Sequence, residues 1–140
     1  MSANPAAPTT RSTVEIVQAL FAAFGRGDIA SVLAALSDDI EWSVAGPREV
    51  AYAGTRHGRE QVAQFFQALG SSVEMLQFEP REFIAQGDQV AVIGAERLRV
   101  KATGRTVKNQ WVILFTLRDG RVVRFREYGD TAALAAGFRP

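Results

Sequence analysis

Two glutamates stand where alternation of the chain puts them on apolar faces. In RFREYGD, Arg124 to Asp130, an extended segment running on from Val122 sends Val123, Phe125 and Glu127 to one side. Arg124, Arg126 and Tyr128 go to the other. In the run from Gln89 to Lys101, Val92, Gly94, Glu96, Leu98 and Val100 alternate with Ile93, Ala95, Arg97, Arg99 and Lys101, so Glu96 also lies on the apolar side. A carboxyl group removed from water must be paired, hydrogen-bonded or protonated, because an isolated charge in low dielectric is costly. Beside Phe125 and Trp111, desolvation raises its pKa towards the range in which a carboxyl serves as general acid or base. The competing reading pairs Glu127 with an arginine in solvent at a strand end, and gives Glu96 to Arg97 or Arg99 in a slipped register.

The next strand decides whether the two carboxyls meet. Asn109, Trp111, Ile113 and Phe115 alternate with Gln110, Val112, Leu114 and Thr116; the first set is bulkier and is assigned to the interior. A two-residue turn at Thr103 and Gly104 sets Glu96 opposite Trp111, and a three-residue loop from Arg118 to Gly120 sets Glu127 opposite Trp111 as well. The expected row is Glu96, Trp111, Glu127, with the glutamate backbones roughly 9–10 Å apart across two strand spacings. The second apolar face needs cover, and another copy of the chain provides it, so a homodimer through the outer face is expected.

Around these strands the elements follow from local signals. Ser12 to Glu15 has the capping-box form and opens a helix with Val14, Val17, Leu20, Phe21 and Phe24 at helical spacing; Gly25 and Gly27 end it. Asp28 caps a short second helix, and Ile40 to Val44 reads as a strand. A loop from Ala45 to His57 carries Tyr52 and leads into a third helix closed by Gly70. Segments near Val73 to Phe78, Arg81 to Ala85, Gln89 to Lys101, Arg105 to Leu117 and Arg121 to Tyr128 read as strands, and TAALAAGF as a last helical turn or two. Helices first and an antiparallel meander afterwards give an α+β domain with the helices on one face of the sheet.

The totals exclude several functions. At 140 residues with 47% hydrophobic side chains, one domain spanning residues 12–140 can bury a core without disulfides or metal. A formal charge of +1 with scattered arginines argues against nucleic acid as a partner. The absence of cysteine and the single histidine leave no thiolate or multi-histidine metal site. No run of about 18 apolar residues marks a membrane span, and residues 1–11 read as a disordered leader without a signal-peptide pattern. A soluble, cytoplasmic protein without metal or cofactor is expected.

The segments VEIVQALFAAFGRGDIASVLAALSDDIEW, YAGTRHGREQVAQFF and VILFTLRDGRVVRFREYGD resemble the nuclear transport factor two-like superfamily of cystatin-like cones, above all its SnoaL-like branch. The resemblance implies a curved antiparallel sheet wrapped around N-terminal helices to form a conical pocket, and a family that mixes isomerases, cyclases, dehydratases, epoxide hydrolases and noncatalytic modules. The three catalytic groups of ketosteroid isomerases fall on Leu20, Ser43 and Ile113, so that chemistry is not expected. The acid/base of SnoaL-like polyketide cyclases falls on Glu127, and its histidine partner on Ile113. Limonene epoxide hydrolases carry W-R-D-Y-F-D where Phe125 to Asp130 stands, which puts their two aspartates at Glu127 and Glu96 and their intervening arginine at Gly94.

These considerations give Glu127 and Glu96 as catalytic candidates acting on a small apolar, oxygenated ligand. Trp42, Tyr52, Asn109, Trp111, Ile113, Phe115 and Phe125 are candidate ligand contacts. The tryptophans serve equally as core; Asn109 orients a ligand oxygen or bonds a loop; Tyr52 guards the mouth or packs there. His57 is assigned to a helix cap or the surface, and Asp130 to the cap of the last helix. The alternatives to an enzyme are a module that holds an apolar ligand without turnover and an interaction domain working through its sheet face.

Overall fold

The computed structural model describes residues 11–140, so all of the expected leader but Arg11 lies outside the described residues. Helix α1, Thr13–Gly25, starts at the capping box: the Ser12 hydroxyl accepts from the Glu15 N–H at 3.1 Å, and the Glu15 carboxylate accepts from the Ser12 N–H at 3.0 Å. It buries Val17, Leu20 and Ala23. Asp28 caps α2, Ile29–Ala34, through the Ser31 N–H. Strand β1, Leu36–Val44, extends further back than its apolar run, and the following loop contains a short strand β2, Gly54–His57, that alternation does not reveal.

Helix α3, Gly58–Ser72, packs Val62 and Phe65 inward. The two strands expected after it are one, β3, Val73–Gln86, whose pairing with β4, Gln89–Val100, shifts register twice. Pro80 is accommodated there because β3 lies at the sheet edge, where one row of N–H groups needs no partner. Strands β5, Thr106–Arg118, and β6, Arg121–Gly129, follow, and Asp130 caps α4, Thr131–Phe138. The sheet has six strands in the order β2-β1-β6-β5-β4-β3 and is curved and unclosed. The pairs β1–β2, β3–β4, β4–β5 and β5–β6 are antiparallel, the last three forming the expected meander, and β1 joins β6 in parallel, which brings Trp42 beside Phe125.

The registers differ from expectation, each for a local reason. The β4–β5 loop has four residues, Lys101 to Gly104, with the Val100 N–H donating to Arg105 O at 2.8 Å and the Gly104 N–H to Val100 O at 2.7 Å. Glu96 therefore lies opposite Asn109, and Trp111 opposite Gly94. At the β5–β6 turn only Asp119 and Gly120 are unpaired, both at positive φ, 52° and 77°, as a tight hairpin turn requires. A bulge then leaves Val123 without a partner, and Glu127 lies opposite Ile113. The expected row through Trp111 does not form, but each displacement amounts to two positions, so both glutamates keep the inner face. The bulge is what secures this for Glu127: Val122 and Phe125 are both buried, and unbroken alternation from Val122 would turn Glu127 outward.

Candidate functional site

The inner face of the sheet and the helices enclose a cavity of about 50 Å³. Its floor comes from the sheet: Trp42 and Val44 of β1, Phe125 and Glu127 of β6, Ile113 of β5, and Glu96 and Leu98 of β4. The helices supply the opposite wall, through Leu20, Phe21 and Phe24 of α1 and Phe65, Phe66 and Leu69 of α3. Tyr52 closes one side from the β1–β2 loop. The polar side chains of this lining are thus an indole, a phenol and two carboxyls, set in aromatic and aliphatic surroundings. Room for about three or four water-sized groups remains.

The two carboxyls are not equivalent. Glu96 Oε2 accepts a hydrogen bond from Asn109 Nδ2 at 2.8 Å. Glu127 has no side-chain hydrogen bond or ion pair among the described residues: Arg126, beside it in sequence, makes no bond to it, and Arg124 is engaged with Glu41 at 2.8 Å. Burial raises the pKa of Glu96, and the Asn109 bond opposes that rise. Burial and then the charge of Glu96 push Glu127 up to about 8. Burial first, then both glutamates, raise the Tyr52 phenol above its usual range, so it stays a donor at neutral pH. Tyr52 Oη and Trp42 Nε1 are buried without a hydrogen-bond partner among the described residues. Such orphaned donors are costly unless a ligand or water meets them.

Six of the residues anticipated from sequence come together here: Glu96, Glu127, Trp42, Tyr52, Ile113 and Phe125. Three others do not line the cavity. Trp111 packs against Phe21 and Phe78, with ring centroids 6.0 and 5.0 Å away, and lies over Gly94. Phe115 is fully buried against Phe21 and Phe125. Asn109 is 2% exposed and bonds both Glu96 and the Asp130 N–H, so it meets a carboxyl and a loop instead of the cavity. Exposed His57 makes no capping bond with its side chain, whereas Asp130 does cap α4. The aromatic helix wall was not anticipated as part of a site, because a stripe such as Leu20, Phe21 and Phe24 is indistinguishable in sequence from one that packs solidly.

Among the described residues no cluster of His, Asp or Glu is placed to hold a metal ion, and no helix is long and apolar enough to cross a membrane.

The SnoaL-like domain model matches residues 17–125, from α1 into β6. The chain belongs to the SnoaL-like domain family. This SnoaL-like domain is 42% identical to an NTF2-like protein of Burkholderia xenovorans, covering 94% of this chain and 98% of that one with a TM-score of 0.84. It is 29% identical to TerC co-crystallised with polyporic acid, over 90% of this chain and 97% of TerC, with a TM-score of 0.81. An uncharacterised protein of Mycobacterium tuberculosis is 29% identical over 126 residues, 89% of this chain and 95% of that protein. Against the epoxide hydrolase arrangement, the SnoaL-like domain has no room at position 94. A Cβ built on Gly94 would run into the Trp111 ring, so a larger side chain at this position would require the indole to move.

Proposed function

We propose that this SnoaL-like domain is a small-molecule enzyme that moves a proton on an apolar, oxygenated ligand without a cofactor. The observation that carries the reading is that two half-buried carboxyls line one aromatic cavity, one of them without a side-chain partner among the described residues. A carboxyl that titrates near neutrality can give up and regain a proton within one turnover. Tyr52 Oη and Trp42 Nε1 are the donors left to meet an oxygen on which charge develops. Isomerisation and intramolecular cyclisation need only a proton taken at one point and returned at another. Epoxide opening of the acid–arginine–base kind is disfavoured, because Gly94 stands at the arginine position and Trp111 packs over it. The likeness to TerC with polyporic acid supports a small-molecule ligand. The cavity of about 50 Å³ is smaller than a ring-sized ligand needs, so entry requires the aromatic helix wall to yield.

The test is turnover on a panel of cyclic enones and hydroxyquinones in deuterated water, read as double-bond migration, ring closure or proton exchange. Glu127→Gln is expected to lower the rate on any accepted compound by about 10²–10⁴-fold while the fold is retained. An unchanged rate would remove Glu127 from the mechanism. Copurification of a ligand with no turnover on any compound would support a binding module instead.

A second copy is proposed to cover the outer face, where register aligns Ile93, Val112 and Tyr128 in one row; Val112 and Tyr128 are 39% and 52% exposed. Light scattering at micromolar concentration should give twice the chain mass, and Val112→Asp should halve it. A wild-type monomer would end this proposal.

A further inference from the structure

The carboxamide of Asn109 separates the roles of the two carboxyls. Its Oδ1 accepts from the Asp130 N–H at 2.7 Å. That backbone group can only donate, which fixes the orientation of the amide and turns Nδ2 towards Glu96 Oε2, 2.8 Å away. Asp130 is itself held in place as the cap of α4, its carboxylate accepting from the Ala133 N–H at 2.9 Å. A line of hydrogen bonds thus runs from the start of α4 through Asn109 to Glu96. The seat is shaped for this carboxamide: a Cβ at Gly129 would lie 2.8 Å from Asn109 Oδ1. Glu127 has no corresponding donor among the described residues.

An N–H aimed at a carboxyl oxygen favours the ionised form over the neutral one. We propose that Asn109 is a positioning residue that keeps Glu96 ionised, so that the one proton shared by the pair near neutral pH resides on Glu127. Glu96 is then the base and Glu127 the acid of the site, an assignment that rests on the proton-transfer reading above. On the cavity side, Glu96 faces Glu127 of β6 and the phenol of Tyr52. On its other side it borders an open groove of about 770 Å³ that also holds Glu79 and Arg81 of β3, Arg97 of β4, Lys108 of β5 and Asp130. Of these neighbours, only Asn109 makes a hydrogen bond to the Glu96 carboxyl. The groove gives Glu96 a route for proton exchange with solvent while a ligand fills the cavity.

The test is a pH titration of protein labelled with ¹³C at the glutamate side-chain carboxyls, the two signals assigned through Glu96→Gln and Glu127→Gln. In the wild type Glu96 is expected to titrate at lower pH than Glu127. Asn109→Leu should raise the Glu96 midpoint by at least one pH unit, a tenfold gain in proton affinity. The reverse order in the wild type, or an unmoved Glu96 midpoint in a folded Asn109→Leu, overturns the proposal. If that variant does not fold, the side-chain NH₂ resonance of Asn109 in the wild type serves instead. It should shift downfield with the midpoint of Glu96, and a signal that stays still through that titration overturns the proposal equally. These readouts need no substrate, so their failure is distinct from a failure of Glu127→Gln to affect turnover.

Discussion

Trp111 and Trp42 are alike by every local measure and belong to different parts of the molecule. Each is 2% exposed, and each has a buried indole N–H without a partner. Trp111 packs against Phe21 and Phe78, which also touch each other, and its far edge lies over the bare backbone of Gly94, away from the cavity lining. Trp42 lies flat on Phe125, touches Phe65 and Phe66, and borders the cavity that Glu127 enters. Burial alone therefore separates core from site poorly. What separates them is whether packing is complete on every side of the ring, and in this sheet a single glycine decides that for Trp111.

The largest effect expected from this contrast is on stability. Trp111→Ala should cost about 3–5 kcal/mol, the range for removing a fully packed large aromatic. Trp42→Ala should cost at least about 1 kcal/mol less, because its ring borders the cavity and part of its edge has no packing partner. Urea denaturation of both variants measures the difference. Equal losses would mean that the two rings are packed alike in solution, and the distinction between floor and site would collapse.

The next effect concerns the carboxyls on the cavity side. In the folded protein Glu127 holds its proton up to about pH 8, against about 4.5 for an ordinary glutamate. Between those limits the folded chain binds more protons than the unfolded one, so stability is greatest below about 4.5 and declines as pH rises towards 8. The decline is about 1.4 kcal/mol for each pH unit fully crossed, so a loss of about 2–4 kcal/mol between pH 5 and 8 is expected. Glu127→Gln has no proton to lose and should flatten most of this slope. A wild-type stability that is level over the same range would show that Glu127 ionises freely, and that its side of the cavity is wetter than its lining implies.

The same contrast explains what could be read from the sequence. Signals confined to a few residues were legible: the Ser12–Glu15 box, the caps at Asp28 and Asp130, and the face of each strand. Alternation alone places Glu96 inward, whereas Glu127 reaches the inner face through the bulge at Val123, across which Val122 and Phe125 are both buried. Register was not legible, because it depends on how Lys101 to Gly104 closes its loop and on the bulge at Val123. The parallel pairing of β1 with β6 was hidden as well, since the two partners are separated by most of the chain. Asn109 was noticed as a polar residue in an apolar row, but its partner depends on the register and could not be named.

The smallest effect is the most direct test of whether the cavity is built for a ligand. The Tyr52 hydroxyl is buried with no partner, and burial and the two nearby carboxyls hold its proton in place. If nothing meets it in the empty protein, the hydroxyl is a net cost, and Tyr52→Phe should leave stability unchanged or raise it by up to about 1 kcal/mol. A residue retained for packing alone would gain nothing from such an oxygen, so neutrality or a gain would place the use of the hydroxyl in a bound state and set Tyr52 apart from the sealed aromatics around Trp111. A loss above about 1 kcal/mol would mean that ordered water already satisfies the hydroxyl. The ligand would then have to displace that water as well as part the aromatic wall, and the division between the closed floor and the waiting site would be less sharp than the two tryptophans suggest.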